Sequence, residues 1–253
     1  GIYYDPRKES RLEQLINASP SLPLGALDRA AKLRRALIES GLSKYNLGGA
    51  LPDLPSGKRI LIPGQVEDDA SIRTGTGAIS TNIALLREAR TVNPDASIIY
   101  KPHPDVETGL RTGKIDETDL QDLADVTAYE ADPIALIEAC DEVWTMTSLL
   151  GFEALLREKP VTCLGTPFYC GWGLTQDLGD VPARRRATVS LDGLTHAALI
   201  DYPRYYDPVT NQACPPEIVI DRLRDGKLPR PGLGLRLLAK AQGAFASYAH
   251  LWR

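Results

Sequence analysis

One feature constrains this chain more than any other. Over residues 57–165, short β-rich runs alternate with stretches of helical periodicity. The runs lie at 59–63, 97–100, 126–129, 142–145 and 160–164. Between them apolar residues recur at helical spacing, as in Ile83, Leu86 and Ala89, in Ile134 and Ile137, and in Leu149, Phe152, Leu155 and Leu156. Strands separated by helices pair in parallel through right-handed crossovers. The pattern predicts an α/β fold with a Rossmann-like parallel layer, which binds ligands at the carboxyl ends of its strands.

The flanks read differently. Residues 10–17 and 26–40 have helical character, with Leu27, Ala30, Leu33 and Leu37 as an apolar stripe and Gly41 as the stop. A Pro- and Gly-rich linker follows at 48–57. Residues 166–173 form an irregular aromatic loop, and helices are predicted near 190–200, 216–225 and 233–249. Three parts are expected: residues 1–50 packing toward another lobe, 51–180 forming the binding layer, and 181–253 forming a C-terminal helical segment.

With 43% hydrophobic and 25% charged residues, the chain has a globular composition. A net charge of −4 excludes a protein whose main task is to coat a nucleic-acid backbone, so no nucleic-acid partner is expected. The four Cys form no CxxC, and none of the three His stands at zinc spacing from a Cys. Reduced, mostly buried thiols in a cytoplasmic protein are expected, with no metal site. No apolar run approaches the ~18 residues of a membrane span. The opening Gly-Ile-Tyr-Tyr-Asp is neither an initiator Met nor a signal peptide, as expected of a piece of something longer.

Four polar segments follow predicted strands. The first, Gln65 to Ser71, holds three consecutive carboxylates. If it is extended, Glu67 and Asp69 share one side and Asp68 points away. Such a pair suits nucleophilic or acid/base work at a sugar carbon. The competing reading is a solvated loop whose Asp caps the next helix. The second, Lys101-Pro-His-Pro104, offers a cation and the His103 imidazole to a phosphate, or is merely a turn with an exposed His. Thr147 and Ser148 stand at a helix start, where N–H groups and the dipole favour an anion, and Glu153 follows at a reach that suits a ribose. Plain N-capping with a solvated Glu153 is the alternative. The fourth segment is the 166–173 loop.

Other signatures are missing. There is no GxGxxG, no GxxxxGK[ST], no DxD and no GxSxG. The Arg184-Arg-Arg186 run is either a solvated face or a contact for an acidic sugar or lipid phosphate.

Several strings together carry a resemblance. They are Gly1-Ile-Tyr-Tyr-Asp5, Ser43-Lys-Tyr-Asn46, Pro63-Gly-Gln-Val-Glu-Asp-Asp-Ala-Ser-Ile72 and Tyr100-Lys-Pro-His-Pro-Asp105. Thr147-Ser-Leu-Leu-Gly-Phe-Glu-Ala-Leu155, Lys159-Pro-Val-Thr162, Pro167-Phe-Tyr-Cys-Gly-Trp-Gly173 and Tyr202-Pro-Arg-Tyr-Tyr-Asp207 complete the set. In this order the chain resembles the KpsC/LipB capsule polysaccharide family. The Gln65–Asp69 string is more like the second, C-terminal module of its tandem proteins. The chain departs from the family in lacking a Gly/Arg/Ser-rich segment ahead of Gly1.

The resemblance implies a GT-B-like glycosyltransferase whose flanking helices belong with or reach toward a second lobe. It implies a retaining β-Kdo transferase that uses CMP-β-Kdo, with no cofactor and no metal. The acceptor would be a (lyso)phosphatidylglycerol-type glycolipid, met at the cytoplasmic face of the inner membrane beside a tandem module. Lys101, His103, Thr147 and Ser148 would hold the CMP phosphate, and Glu153 the ribose. Asp69 matches the family's nucleophilic carboxylate, with Glu67 handling protons and Gln65 and Ser71 orienting it. Lys44, Arg185, Tyr169 and Trp172 would meet the sugar or acceptor. The stretch 232–253 is amphipathic and is read as a packing helix, or else as a membrane-surface contact. A donor with another CMP-nonulosonate, as in sialyltransferases, and a non-catalytic scaffold module remain the alternatives.

Overall fold

The computed structural model describes residues 1–42 and 49–226. Helix α1 (Arg11–Ala18) and α2 (Leu24–Glu39) come first. Ser10 caps α1 by accepting from the Glu13 N–H. Beyond α2, Gly41 has a φ of 59°, and Leu42 and Gly41 donate to the carbonyls of Leu37 and Ile38, a Schellman stop that a side-chain-free residue allows.

The layer then runs β1 (Arg59–Pro63), α3 (Ala70–Gly75), α4 (Asn82–Val92), β2 (Ser97–Lys101), α5 (Pro104–Glu107), α6 (Glu117–Leu123) and β3 (Val126–Thr127). It continues with α7 (Pro133–Ala139), β4 (Glu142–Thr145), α8 (Leu149–Leu156), β5 (Val161–Cys163), β6 (Gln176–Asp177) and α9 (Leu191–His196), which runs into a π-helical turn at Ala197–Asp201. The six strands are all parallel, in the order β3-β2-β1-β4-β5-β6. The chain therefore has the α/β parallel layer that the alternation predicts.

Alternation along the strands builds a core on each face. Leu61, Ile99, Val143 and Val161 face the cluster that holds α1, α7, α8 and α9. Ile60, Ile62, Ile98 and Trp144 face the cluster that holds α3, α4 and α6. Burial on both faces explains why the strands read as continuous apolar runs.

The described residues divide into two compact units, one ending at Pro203 and one beginning at Arg204. The boundary expected near residue 180 thus lies inside the first unit, because α9 packs on α2 and the π-helical turn on α1. In the second unit, β7 (Tyr205–Asp207) and β8 (Gln212–Cys214) form an antiparallel hairpin, followed by α10 (Pro216–Arg224). Asp207 accepts from Arg222 at 2.9 Å and from the Val209 N–H, which ties the helix to the turn. The helix expected over 233–249, and with it the amphipathic 232–253 stretch, lies outside the described residues.

The first unit contains a buried charge cluster. Glu13, on α1, accepts from Arg185 Nε at 3.0 Å and from Arg184 Nη2 at 3.1 Å. Arg185 also donates to the carbonyls of Pro167 and Cys170 and lies over the Trp172 ring. Arg185→Met leaves Glu13 buried with only the half-buried Arg184 as partner. Urea unfolding should show a loss of about 3–5 kcal/mol, the usual cost of stranding one member of a buried pair.

Candidate active site

The strand order creates the site. From β1 the chain crosses to β2 over one face, through α4, and from β4 it crosses to β5 over the other, through α8. Neighbouring strands whose crossovers diverge leave a crevice at their carboxyl ends. An open cleft of about 760 Å³ lies there. Its walls come from Gln65, Val66 and Asp69 to Ser71 after β1, from His103 to Asp105 after β2, and from Thr147 to Leu149 after β4. Arg111, Pro167, Phe168, Tyr3 and Tyr4 complete it.

Gln65 spans the crevice. Its side-chain amide donates to Thr147 Oγ1 at 2.9 Å, and its Oε1 accepts from the Thr147 N–H at 3.0 Å. The Gln65 backbone exchanges two hydrogen bonds with the Asn82 side chain at the start of α4. From Thr147 the chain of bonds continues to Ser71 Oγ at 3.4 Å, and from Ser71 Oγ to Asp69 Oδ1 at 2.7 Å. Asp69 Oδ1 also accepts the Ser71 N–H, which makes Asp69 the N-cap of α3. Partial desolvation in the cleft raises the Asp69 pKa. The two Ser71 bonds and the charge of Arg111 outweigh that and hold it below the usual carboxylate range.

The three carboxylates do not share a side. The segment turns at Glu67 and Asp68 instead of running extended. Glu67 Oε1 accepts the Asn82 N–H at 2.7 Å and secures the start of α4. It does not line the cleft, so the proton-handling role expected of it finds no support in the geometry. Asp68 accepts from Arg111 at 2.9 Å and from Thr112 at 3.1 Å. Only Asp69 lines the cleft.

His103 and Ser148 are helix caps that also line the cleft. His103 Nδ1 accepts the Asp105 N–H at the start of α5, and Ser148 Oγ accepts the Leu150 N–H at the start of α8. Lys101 is elsewhere. It is 4% exposed, and its Nζ is bound to Glu107 at 2.8 Å and to the Pro102 carbonyl. It reaches only a minor recess beside the main cleft, so its charge is already compensated. Glu153 pairs with Arg157 at 2.8 Å on α8 and does not line the cleft.

The aromatic loop is a support. Tyr169 and Trp172 are fully buried. The Tyr169 hydroxyl donates to the Ser148 carbonyl, and the Trp172 indole N–H donates to the Phe168 carbonyl at 2.8 Å. A Cβ on Gly151 would collide with the Tyr169 hydroxyl, so the helix and the loop meet only across a glycine. Tyr169, Trp172 and Arg185 are therefore corrected from sugar or acceptor contacts to packing and anchoring residues. Lys44 lies outside the described residues. The sequence reading missed Arg111, Phe168 and the two tyrosines as cleft residues. The Gly-Ile-Tyr-Tyr string was a signal for the tyrosines, whereas Arg111 sits in no motif.

Residues 49–205 match the family model of capsule polysaccharide biosynthesis proteins. The chain belongs to that family. It is 49% identical over 214 residues to the capsule polysaccharide modification protein LipA of Neisseria meningitidis serogroup B, a match that covers 84% of this chain and 30% of that protein. It is 44% identical to the lipopolysaccharide-processing protein LpsZ of Rhizobium meliloti, covering 81% of this chain and 48% of LpsZ. The chain thus spans only 30% to 48% of the length of these relatives. Among solved structures it is similar to Thermosulfurimonas dismutans KpsC, beta Kdo 2,7 transferase, at 38% identity and a TM-score of 0.77, covering 90% of this chain and 71% of that one. It is also similar to the KpsC beta Kdo 2,4 transferase of the same organism, at 34% identity and a TM-score of 0.79, covering 88% and 70%. The fold is accordingly that of a GT-B-like glycosyltransferase layer.

The Ser71 bonds make a titration prediction. A depressed Asp69 pKa stabilises the folded chain fully above the unfolded carboxyl value, and the contribution is lost as pH falls through the folded value. Ser71→Ala should move the Asp69 carboxyl titration upward in a carbon-13 NMR series and make that loss smaller.

Proposed function

We propose that this chain is a Kdo-transferring glycosyltransferase of capsule polysaccharide biosynthesis. It would use CMP-β-Kdo and retain configuration by double displacement through Asp69. The observation that carries this reading is a carboxylate held ionised in a crevice at the switch point of a parallel sheet, among helix-start donors suited to a phosphate. The similarity to two structures named as beta Kdo transferases supports the sugar.

His103 Nδ1 accepts a backbone N–H, so the neutral ring carries its proton on Nε2 and can donate to a phosphate oxygen. The start of α8 at Ser148 adds N–H groups and the positive end of a helix dipole. These donors ease the departure of CMP, and the reading requires no metal or cofactor. Asp69 attacks the anomeric carbon of the sugar as the bond to the CMP phosphate oxygen breaks and CMP leaves with the electron pair. An acceptor hydroxyl then attacks the same carbon and gives its proton to solvent, and the bond to Asp69 breaks with its electron pair returning to the carboxylate. Two inversions give net retention.

The acceptor in this reading is a glycolipid of phosphatidylglycerol type at the cytoplasmic face of the inner membrane. A further transferase module in the whole protein is in keeping with the short span of the LipA match. No helix among the described residues is long and apolar enough to cross a membrane.

Asp69→Asn should abolish transfer and leave CMP affinity within about threefold by calorimetry, since the amide removes the nucleophile and keeps the shape. His103→Ala should weaken CMP binding itself by about tenfold, the loss of one hydrogen bond to a charged group. An Asp69→Asn protein that transfers Kdo at the normal rate contradicts the double displacement.

A further inference from the structure

The proposed donor carries two anionic groups, a phosphate and a sugar carboxylate. His103 and the start of α8 suit the phosphate. Of the cations expected to meet an acidic sugar, Arg184 and Arg185 are turned onto Glu13 and Lys44 lies outside the described residues. Lys101, expected at the phosphate, is neutralised by Glu107. Among the described residues, Arg111 is the one Lys or Arg that lines the cleft.

We propose that Arg111 recognises the carboxylate of an acidic 2-keto sugar and so selects ulosonic-acid donors over CMP carrying any neutral group. The inference rests on the reading of the cleft as a CMP-sugar site. In such a sugar the carboxylate is bonded directly to the anomeric carbon, so the group that binds it must stand beside the nucleophile. Arg111 is placed there by two bonds. Its Nη2 donates to Asp68 Oδ1 at 2.9 Å, on the residue that precedes Asp69. Its backbone N–H donates to the Asp105 carbonyl at 3.0 Å, on the segment that carries His103.

Arg111 is thus pinned between the nucleophile and the phosphate donors. The bond to Asp68 uses one Nη2 hydrogen, and Nε and Nη1 donate to no described residue, so the second Nη2 hydrogen and one of these neighbours can form a carboxylate fork along one edge of the guanidinium. Its charge also lowers the Asp69 pKa, in keeping with that proximity. A cation here performs a second task. An ionised Asp69 approaching a carbon that bears a carboxylate meets like-charge repulsion, and Arg111 offsets it.

Initial rates give both readouts in one assay: the KM for CMP-β-Kdo and the Ki for CMP. Arg111→Gln should raise the KM about twentyfold or more and change the Ki by no more than about threefold, since the fork serves the sugar carboxylate alone. Arg111→Lys, which keeps the charge and loses the fork, should recover part of the KM. Asp68→Asn, which removes the orienting charge and leaves Arg111 in place, should raise the KM by less with the Ki unchanged, and serves should Arg111→Gln fail to fold. An equal rise in KM and Ki places Arg111 on the phosphate and overturns the inference, as does an unchanged KM in the folded variants. A wild-type protein that neither binds CMP nor turns over CMP-β-Kdo overturns the donor-site reading, and the inference with it.

Discussion

The site depends on one side-chain amide. β1 and β4 are neighbours whose chains depart to opposite faces, so nothing in the sheet ladder fixes the distance between the loops beyond them. Gln65 supplies that fix by both donating to and accepting from Thr147. It is buried, and its Oε1 also accepts from Thr145 Oγ1. Removing the amide would leave the Thr147 N–H without its partner, at a cost of about 1–3 kcal/mol for a buried unsatisfied group. Through Thr147 and Ser71 the same amide also sets the position of Asp69. The crevice is therefore pre-organised before any ligand arrives.

The cleft draws on helix capping for its chemistry. Asp69, His103 and Ser148 cap α3, α5 and α8, and all three line the cleft. A cap must lie at the first turn of a helix with its polar atoms turned to the backbone, and in a parallel sheet the first turns follow the carboxyl ends of the strands. The capping and ligand-facing readings of these residues are not rivals. Capping holds each side chain in one rotamer, which is what a reacting or binding group requires. The buried Glu13–Arg185 pair and the Tyr169 hydroxyl do the same for the wall behind α8.

How much of this was legible follows from periodicity. β1 and β4 match the sequence reading residue for residue, and α8 matches its apolar spacing, because side chains that face two cores leave a continuous apolar signature. β3 and β5 are as short as β6, β7 and β8, but they sit inside β-rich runs between helices, whereas β6, β7 and β8 lie beyond the strand–helix alternation and went unread. Within the candidate site, the segments after the strands were legible because the strands were. The direction of individual side chains was not. Glu67 and Asp68 diverge at a turn that no spacing rule announces. Trp172 and Arg185 resemble ligand contacts by residue type, but Arg185 is drawn inward by partners 15 and 172 residues away in sequence, and it lies over the buried Trp172 ring. Arg111 owes its place to Asp68, 43 residues earlier in the chain.

The central claim is that Asp69 becomes covalently joined to the donor sugar. The most direct measurement is intact-protein and peptide mass spectrometry after brief exposure to CMP-β-Kdo without acceptor. The expected result is CMP release together with a mass increase of one Kdo residue, mapped to the peptide that carries Asp69 and absent from Asp69→Asn. Turnover to a product of inverted anomeric configuration, with no adduct on that peptide, would contradict it.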